Sequence, residues 1–223
     1  KQGIIKRISL NAYNTARKGG LIALELNEGD ELAWVRLTDG NQQVIVATKN
    51  GLAIRFEETD VRPMGRQARG VKAISLREGD CVVGMCVVTN DDLILTASET
   101  GFGRISNVSD YRLQSRGGKG ITNYHTEKYG NVAAVSAVKL DEDIIIISQE
   151  GVIIRIAADT VRICNRPSKG VTLMRIGEND KVVTVARAPH EDSESEKTEE
   201  TAEEETSEEN TAPETNAEEN TEE

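Results

Sequence analysis

The stretch G-L-A-I-R at residues 51–55 decides the fold, because similar stretches recur along the chain of 223 residues. Its counterparts are G-I-I-K-R at residues 3–7, G-V-I-I-R at residues 151–155, and the variant G-F-G-R at residues 101–104, where the arginine comes one place early. The leading glycines lie 48, 50 and 50 residues apart. A fixed period of this length is typical of repeat architectures. The sequence therefore predicts four repeats of about 50 residues, starting near residues 3, 51, 101 and 151.

Three further features keep one order within these repeats. A glycine followed by an aliphatic residue recurs every 50 residues, at Gly20, Gly70, Gly120 and Gly170. Glu-Gly-Asp turns follow at residues 28–30 and 78–80, with degenerate counterparts at 130–131 and 178–180. A valine-rich run comes after each turn, at residues 32–35, 82–88, 132–138 and 182–185. The shared order predicts that the four repeats have a common structure.

The repeats are composed of strand patterns. In residues 52–57 the large apolar side chains of Leu52, Ile54 and Phe56 alternate with Ala53, Arg55 and Glu57. This period of two is typical of a half-buried strand. By contrast, residues 44–47, 93–95 and 144–147 are apolar without alternation, which predicts strands buried on both faces. Small antiparallel sheets stacked face to face around an axis bury strands in this way. We therefore predict an all-β, β-propeller-like fold with one blade of roughly four strands per repeat.

The predicted ring is incomplete. Each of the first three repeats ends with an apolar strand that runs into the next glycine, such as residues 44–48 before Gly51. No such strand precedes the first repeat at Lys1, and the fourth repeat stops at Pro189 without one. The pattern favours four blades of a larger ring over residues 1–189.

Charge divides the chain at the same point. Residues 1–189 contain 26 Lys and Arg against 22 Asp and Glu, whereas residues 190–223 contain one Lys against 16 acids. The body therefore carries +4 and the tail −15 of the net charge of −11. The tail is low-complexity Glu, Thr, Ser and Asn, so we predict that residues 190–223 are disordered. It either only solubilises the protein or competes with a polyanion for a basic surface of the body.

Each repeat also contains a cationic loop. Residues 61–71, 111–121 and 161–171 place basic side chains at positions i, i+4 and i+7 before a glycine, and the first repeat keeps this frame loosely. Prolines and glycines within the frame oppose a helix. The final glycine has a sufficient structural reason, because a turn can require a positive φ or a close backbone approach. A turn requires no arginine, however, so the cations indicate a binding role.

The candidate binding residues are the cations of these loops. They are Arg17, Lys18, Arg62, Arg66, Arg69, Arg112, Arg116, Lys119, Arg162, Arg166 and Lys169. Arg7, Arg55 and Arg155, which close three of the opening stretches, either join this group or pair across strands with acids such as Glu57.

Equivalent loops on successive blades would lie at one edge of a propeller and form a curved belt of cations. Such a belt matches bent duplex DNA, which Lys and Arg bind through phosphates without reading the sequence. Two or three contacts per blade predict a log–log salt slope of about −7 to −9. Aromatic residues make up only 3% of the chain, which disfavours a single-strand stacking platform. The alternative is a propeller scaffold whose basic loops bind an acidic protein.

These motifs resemble the C-terminal domain of bacterial DNA gyrase A. The resemblance covers residues 1 to about 189 and rests on the G-[IVL]-x-x-R openings, the E-G-D turns, the R-x-x-[RK]-G-[VI] loops and the acidic tail. F-E-E-T-D-V-R-P-M-G at residues 56–65 and V-R-I-C-N-R-P-S-K-G-V at residues 161–171 are particularly close. The family's Q-[RK]-R-G-G-[RK]-G box is matched at six of seven positions, by Gln114, Arg116, Gly117, Gly118, Lys119 and Gly120, and departs at Ser115.

The resemblance implies a six-bladed β-pinwheel that wraps duplex DNA around a basic rim and so supports ATP-dependent negative supercoiling by the holoenzyme. In the family the box lies in the first blade, whereas this copy, counted back from the acidic tail, falls in the fifth of six. We therefore interpret it as a preserved version of the repeated loop. The corresponding protein of topoisomerase IV has a related, more degenerate domain and is the alternative parent.

The resemblance also implies partners and a location. The partners are duplex DNA, the catalytic core of gyrase A and, through that core, gyrase B. ATP and Mg²⁺ serve the holoenzyme, and no cofactor is expected in this chain. The location is the bacterial cytoplasm, in association with the nucleoid.

No catalytic or metal site is expected in this chain. Tyr13 and Tyr111 fall where other repeats have Val61 and Val161, which indicates a packing position. No G-x-x-x-x-G-K-[ST] motif is present, and the two histidines offer little to a metal or to acid–base chemistry. The sequence has no run of 18 or more apolar residues, so no membrane span is predicted. The sequence therefore predicts a binding module without catalytic residues.

Overall fold

The computed structural model describes residues 1–14 and 19–190, and its regular structure is almost entirely β. The strands are β1 Ile4–Ile5, β2 Gln43–Thr48, β3 Leu52–Glu57, β4 Val71–Lys72, β5 Val82–Val88, β6 Leu93–Ser98, β7 Phe102–Asn107, β8 Ile121–Thr122, β9 Val132–Val138, β10 Glu142–Ser148, β11 Ile153–Ala157, β12 Val171–Thr172 and β13 Val182–Pro189. Single helical turns occur at Leu10–Tyr13, Glu58–Asp60, Val108–Asp110, Thr126–Tyr129 and Ala158–Thr160. The all-β prediction is confirmed.

The strands form four sheets in which all the ladders are antiparallel. Two sheets have four strands, in the orders β5-β2-β3-β8 and β9-β6-β7-β12. A third sheet has the order β13-β10-β11, and β1 pairs with β4 alone. Among the described residues, no helix has the length and hydrophobicity needed to cross a membrane.

A blade is not one repeat, because its outer strand belongs to the repeat that follows. The chain leaves β3, crosses to the preceding sheet, adds β4 to β1, and returns to form β5. The next two repeats do the same when β8 pairs with β3 and β12 pairs with β7. The period showed that the repeats are alike but carried no information about which strands pair, so this exchange was not predicted.

Burial confirms the prediction for β2 and corrects it for β3. Val44 to Ala47 are all nearly inaccessible, as expected for a strand covered on both faces. In β3, however, Ala53 and Arg55 are also buried, at 0% and 5% exposure, so the strand is not half-buried. The polar side chain of Arg55 reaches backbone carbonyls of the next repeat, which removes the need for solvent at that face.

The predicted valine-rich strand at residues 32–35 does not form. Leu32 and Val35 are 55% and 68% exposed, whereas the equivalent runs form β5, β9 and β13. Each of those strands pairs with the apolar strand that precedes the opening glycine of its repeat. No described strand pairs with residues 32–35 in this way.

In three of the four repeats, the aspartate of the Glu-Gly-Asp or Glu-Asn-Asp turn accepts a hydrogen bond from the residue that precedes the opening glycine. Asp80 Oδ1 accepts hydrogen bonds from the amides of Asn50 at 3.0 Å and Cys81 at 2.9 Å. Asp180 repeats this pattern with the amides of Glu150 at 3.0 Å and Lys181 at 2.8 Å. Since a carboxylate that accepts backbone amides fixes both segments, the motif is a structural element of the fold.

Apolar clusters join neighbouring sheets, and a buried arginine lies beside the cluster that contains Tyr124. Arg104 is fully buried and occupies the position that Ile54 and Ile154 hold in adjacent repeats. Its guanidinium donates to the carbonyl of Asn123 at 2.6 Å and lies 5.5 Å from the centre of the Tyr124 ring. Burial lowers the pKa of Arg104, because desolvation disfavours the charged form. The early arginine of the variant stretch is therefore a core residue.

Candidate nucleic-acid interface

Three equivalent loops, residues 61–70, 111–120 and 161–170, lie along the outer edges of successive sheets. Each loop precedes an edge strand, β4, β8 or β12, that pairs with the preceding repeat. Isolated parallel bridges Arg7↔Pro63, Arg55↔Leu113 and Ile105↔Ile163 attach each loop to that repeat as well. We call these segments the edge loops.

The first cation of each edge loop is exposed. No hydrogen bond or ion pair holds the guanidinium groups of Arg62, Arg112 and Arg162 within the part of the chain that the structure describes. Their charges are therefore available to an external anion.

The second cation has a structural role in two of the loops. Arg116 Nε donates to the carbonyl of Asp60 at 2.9 Å, and its Nη1 donates to the carbonyl of Lys72 at 3.1 Å. Arg166 makes the same contacts one repeat later, with Asp110 at 2.9 Å and with Thr122. Each arginine thus clamps its loop to the preceding repeat and keeps only part of its hydrogen-bonding capacity for a ligand.

The remaining second cation, Arg66, has no such clamp among residues 1–14 and 19–190. Instead, Lys6 Nζ donates to the carbonyl of Arg66 at 2.5 Å and to that of Ala23 at 3.1 Å. Desolvation lowers the pKa of Lys6, and the nearby charge of Arg66 adds to this effect. This loop is therefore attached through its backbone, which leaves the Arg66 side chain for other contacts.

The third cations differ from loop to loop. Lys119 is exposed and has no ion-pair partner in the described ranges. Arg69 Nη2 lies 2.9 Å from Glu25 Oε1, but both side chains are more than half exposed. Such a pair contributes about 0.2–1 kcal/mol, so a phosphate can replace Glu25. Lys169 Nζ lies 3.5 Å from the centre of the Phe102 ring, a cation–π contact.

The box-like loop, residues 114–120, is held by its backbone. The Gly117 amide donates to the carbonyl of Ala73 at 2.6 Å, and Ser75 donates to the carbonyls of Gly117 and Gly118, both at 2.8 Å. Gly117 and Gly120 have φ values of 81° and 76°, which favour glycine. The Gly117 amide is thus occupied within the fold, and Gly117 and Gly120 have structural reasons.

The arginines that close the opening stretches pair inside the protein. Arg155 Nε lies 2.6 Å from Asp143 Oδ2, and Arg7 lies 3.8 Å from Glu58. Arg55 Nη1 instead donates to the carbonyls of Val108 and Tyr111, at 2.9 and 3.0 Å. Acid pairing is therefore correct for two of the three, and Glu57 is bound by Gln43 rather than by Arg55.

Other predictions have different outcomes. Arg17 and Lys18 lie outside the described residues, as do residues 191–223 of the tail. Tyr111 is buried and donates its hydroxyl hydrogen to Asn123 at 2.6 Å, as a packing position should. No cluster of three or more His, Cys, Asp or Glu side chains that could hold a metal ion occurs in residues 1–14 and 19–190.

Sequence analysis missed one exposed cation, Lys72. Its side chain is exposed on β4 beside the edge loops, and its carbonyl receives Arg116. The equivalent positions are Thr122 and Thr172, so the repeat pattern gave no signal for it.

The two structural classes of cation lead to a prediction for stability. Arg116→Ala is expected to lower the free energy of unfolding by about 1–2 kcal/mol, because two carbonyls lose a charged donor. Arg112→Ala removes the same charge from the same loop but should change stability by less than about 0.5 kcal/mol. Urea unfolding of both variants tests this; equal losses would show that the clamp contributes nothing.

Known proteins resemble this chain in sequence and fold. The family model of the DNA gyrase C-terminal domain, a β-propeller, matches residues 1–39, 42–88, 92–139 and 142–189. The DNA gyrase A protein of Halalkalibacterium halodurans is 60% identical over 72 residues, and that of Clostridium acetobutylicum is 56% identical over 72 residues. Each alignment covers 32% of this chain and 9% of the relative.

Solved structures show the same fold over a larger share of the chain. A C-terminal domain of DNA topoisomerase IV aligns with a TM-score of 0.80 and 26% identity, over 92% of this chain and 64% of that one. A DNA gyrase A C-terminal domain aligns with a TM-score of 0.73 and 29% identity, over 84% and 63%. Each of the four matched segments contains the opening stretch of one repeat, and together they place the chain in the DNA gyrase C-terminal domain family.

Proposed function

We propose that this chain binds duplex DNA without sequence preference and bends it along the edge loops. The observation that carries the proposal is that Arg62, Arg112 and Arg162 are exposed, without a described partner, at equivalent places on successive sheets, and that Lys119 is a further such cation in one of the loops. Folding gives no reason for a cation at those places, since no described hydrogen bond or ion pair uses the charge. A row of phosphates supplies the missing partner.

The shape of the edge supports a bent ligand. Each edge loop is attached to the sheet before it, so successive loops follow the stacking of the sheets. Contacts on several blades would hold a duplex against this row only if it bends. Bending 20–30 base pairs by 40–90° costs on the order of 1–6 kcal/mol, which several phosphate contacts can offset.

The parent protein in this proposal is DNA gyrase A, where wrapped DNA would support ATP-dependent negative supercoiling. The chain itself would be a non-catalytic part, joined to the catalytic core of gyrase A and through it to gyrase B, in the bacterial cytoplasm. ATP and Mg²⁺ would act elsewhere in that assembly. The similarity to a topoisomerase IV domain supports that enzyme as the second candidate parent.

The clamps revise the expected salt dependence. With Arg116 and Arg166 largely committed to carbonyls, about five to seven phosphate contacts remain, which predict a log–log salt slope of about −4 to −6. We expect that slope when the complete 223-residue chain binds duplexes of unrelated sequence in fluorescence anisotropy titrations. Ligation of nicked circles in the presence of the chain should trap a change in linking number.

Two outcomes would oppose this proposal. A slope near zero would remove DNA binding through the edge loops. A linking number equal to that of circles ligated without protein would remove the chiral wrapping that supercoiling requires. Salt-tolerant, stoichiometric capture of an acidic protein would instead support the interaction scaffold.

A further inference from the structure

The third repeat buries an arginine in its core. Arg104 is 0% exposed, whereas the equivalent residues in the two neighbouring repeats, Ile54 and Ile154, are apolar. Its Nη2 atom donates to the carbonyl of Asn123 at 2.6 Å and to Oδ1 of the same residue at 3.1 Å. The Nε and Nη1 atoms are buried and have no hydrogen-bond partner. A buried guanidinium with unpaired donors opposes folding, so packing alone does not explain this residue.

One nitrogen of Arg104 has a structural reason. In the second edge loop, the Gly117 amide donates to the carbonyl of Ala73 at 2.6 Å, and Asn123 is the residue equivalent to Ala73 one repeat later. Pro167 holds the position of Gly117 and has no N–H, so Arg104 supplies the donor that the proline lacks. A neutral amide side chain could make the same bond. The hydrogen bond therefore explains a donor at this place and not a charge.

The positive charge of Arg104 has no counter-charge within the part of the chain that the structure describes. No ion pair there includes Arg104. Desolvation lowers the pKa of Arg104 most, and the positive charge of Arg166 lowers it further. Arginine nevertheless stays protonated in proteins. The fold thus places two like charges close together.

The third edge loop, residues 161–170, is attached to the surroundings of Arg104. The residue after Arg104, Ile105, forms the bridge with Ile163. The ring centre of Tyr124 lies 5.5 Å from the Arg104 guanidinium, and the Tyr124 hydroxyl donates to the carbonyl of Lys169 at 3.1 Å. The loop itself contains three cations and no acidic residue. A phosphate bound at this loop would supply the counter-charge that the described fold lacks.

The first edge loop has a similar arrangement, whereas the second does not. Lys6 is the first-repeat equivalent of Arg104, and its pKa is lowered by desolvation and also by the charge of Arg66, the second cation of the first edge loop. At the second edge loop the equivalent residue is Ile54, which lies beside Gly118. Two of the three edge loops therefore have an inner cation, Lys6 or Arg104, close to their second arginine.

We propose that Arg104 strengthens phosphate binding at the third edge loop through its buried charge, without contacting the DNA. A charge in the protein interior is screened less than an exposed one, so its attraction adds to that of Arg162 and Arg166. The stability lost by burying the charge is then offset in the complex, where a phosphate partly compensates it. The inference rests on the proposed function and names a residue that acts on the same ligand from inside the fold.

The test compares two substitutions of Arg104 in the full chain by anisotropy titration with duplex DNA. Arg104→Gln keeps a donor for Asn123 and removes the charge, whereas Arg104→Lys keeps the charge. At about pH 6, which favours the protonated form of a buried lysine, and about 0.1 M salt, we expect Arg104→Gln to bind about fivefold more weakly and Arg104→Lys to bind within about twofold of the natural chain. Urea unfolding should give the two variants similar midpoints, because the difference between them is a charge and not a loss of structure.

The control is Arg175→Gln, which removes one exposed cation outside the edge loops and gives the same net charge as Arg104→Gln. It should keep the affinity of the natural chain within about twofold. Equal binding by Arg104→Gln and the natural chain would overturn the inference, and so would equal weakening by the Gln and Lys variants or by the control. Each of these outcomes leaves DNA binding intact. A natural chain that fails to bind DNA would instead remove the proposed function, and the inference with it.

Discussion

Replacing Arg62, Arg112, Lys119 and Arg162 by glutamine should flatten the salt slope of DNA binding by about 3–4 units. These four cations have no described internal partner, so each is available to neutralise one phosphate. Loss of four contacts should weaken binding on the order of a hundredfold or more at about 0.1 M salt. Stability should change little, because the four side chains support no described contact of the fold. Anisotropy titrations between about 50 and 300 mM salt measure both the slope and the affinity.

A control of equal charge distinguishes the edge loops from general attraction. Glutamine at Lys128, Lys139, Arg175 and Lys181 removes four exposed cations outside the edge loops and produces the same net charge. That variant should keep most of the slope, since only long-range attraction changes. If both variants flatten the slope equally, DNA binding follows from net charge and the edge loops have no special role.

Sequence patterns correctly predicted features that depend on the polarity of the residues themselves, such as the burial of an apolar strand. The continuous apolar run at residues 44–47 required cover on both faces, and the structure provides it. The exchange of outer strands could not be predicted. Ile121 in β8 pairs with Ala53 of the preceding repeat, but the sequence is equally compatible with pairing inside its own repeat. The 50-residue period is the same in both arrangements and therefore does not identify the pairing partner.

The candidate site shows the same division. The frame of the edge loops located Arg112 and Arg162, which the structure leaves exposed, and their role in DNA binding stays a prediction. It could not separate them from Arg116 and Arg166, because all four are arginines at regular positions. Arg116 and Arg166 differ from Arg112 and Arg162 because they donate to carbonyl groups 44 and 56 residues earlier in the chain. Only folding brings those carbonyls close to the arginines. Burial of Arg55 was missed for the same reason, because its cover comes from the next repeat.

Gly101→Ala should destabilise the fold by about 4 kcal/mol or more, through two separate effects. Gly101 has φ +81°, where an L side chain costs about 1–2 kcal/mol. A Cβ there would also lie 2.1 Å from the carbonyl oxygen of Met174, far inside contact distance. The Gly101 carbonyl accepts the amides of Leu173 and Met174 at 2.9 and 3.1 Å, so the clash would push away the segment that follows β12.

Gly151→Ala is the matched control, because Gly151 opens the next repeat with φ +86° and has no heavy atom within 4 Å of a Cβ. Its free energy of unfolding should fall only by the cost of the positive φ, about 1–2 kcal/mol, in the same urea unfolding experiment. The difference between the two variants therefore measures the crossing of one repeat over the opening glycine of another. Equal losses would mean that segment 173–174 does not rest on Gly101 in solution, and the exchange of outer strands between blades would then be wrong.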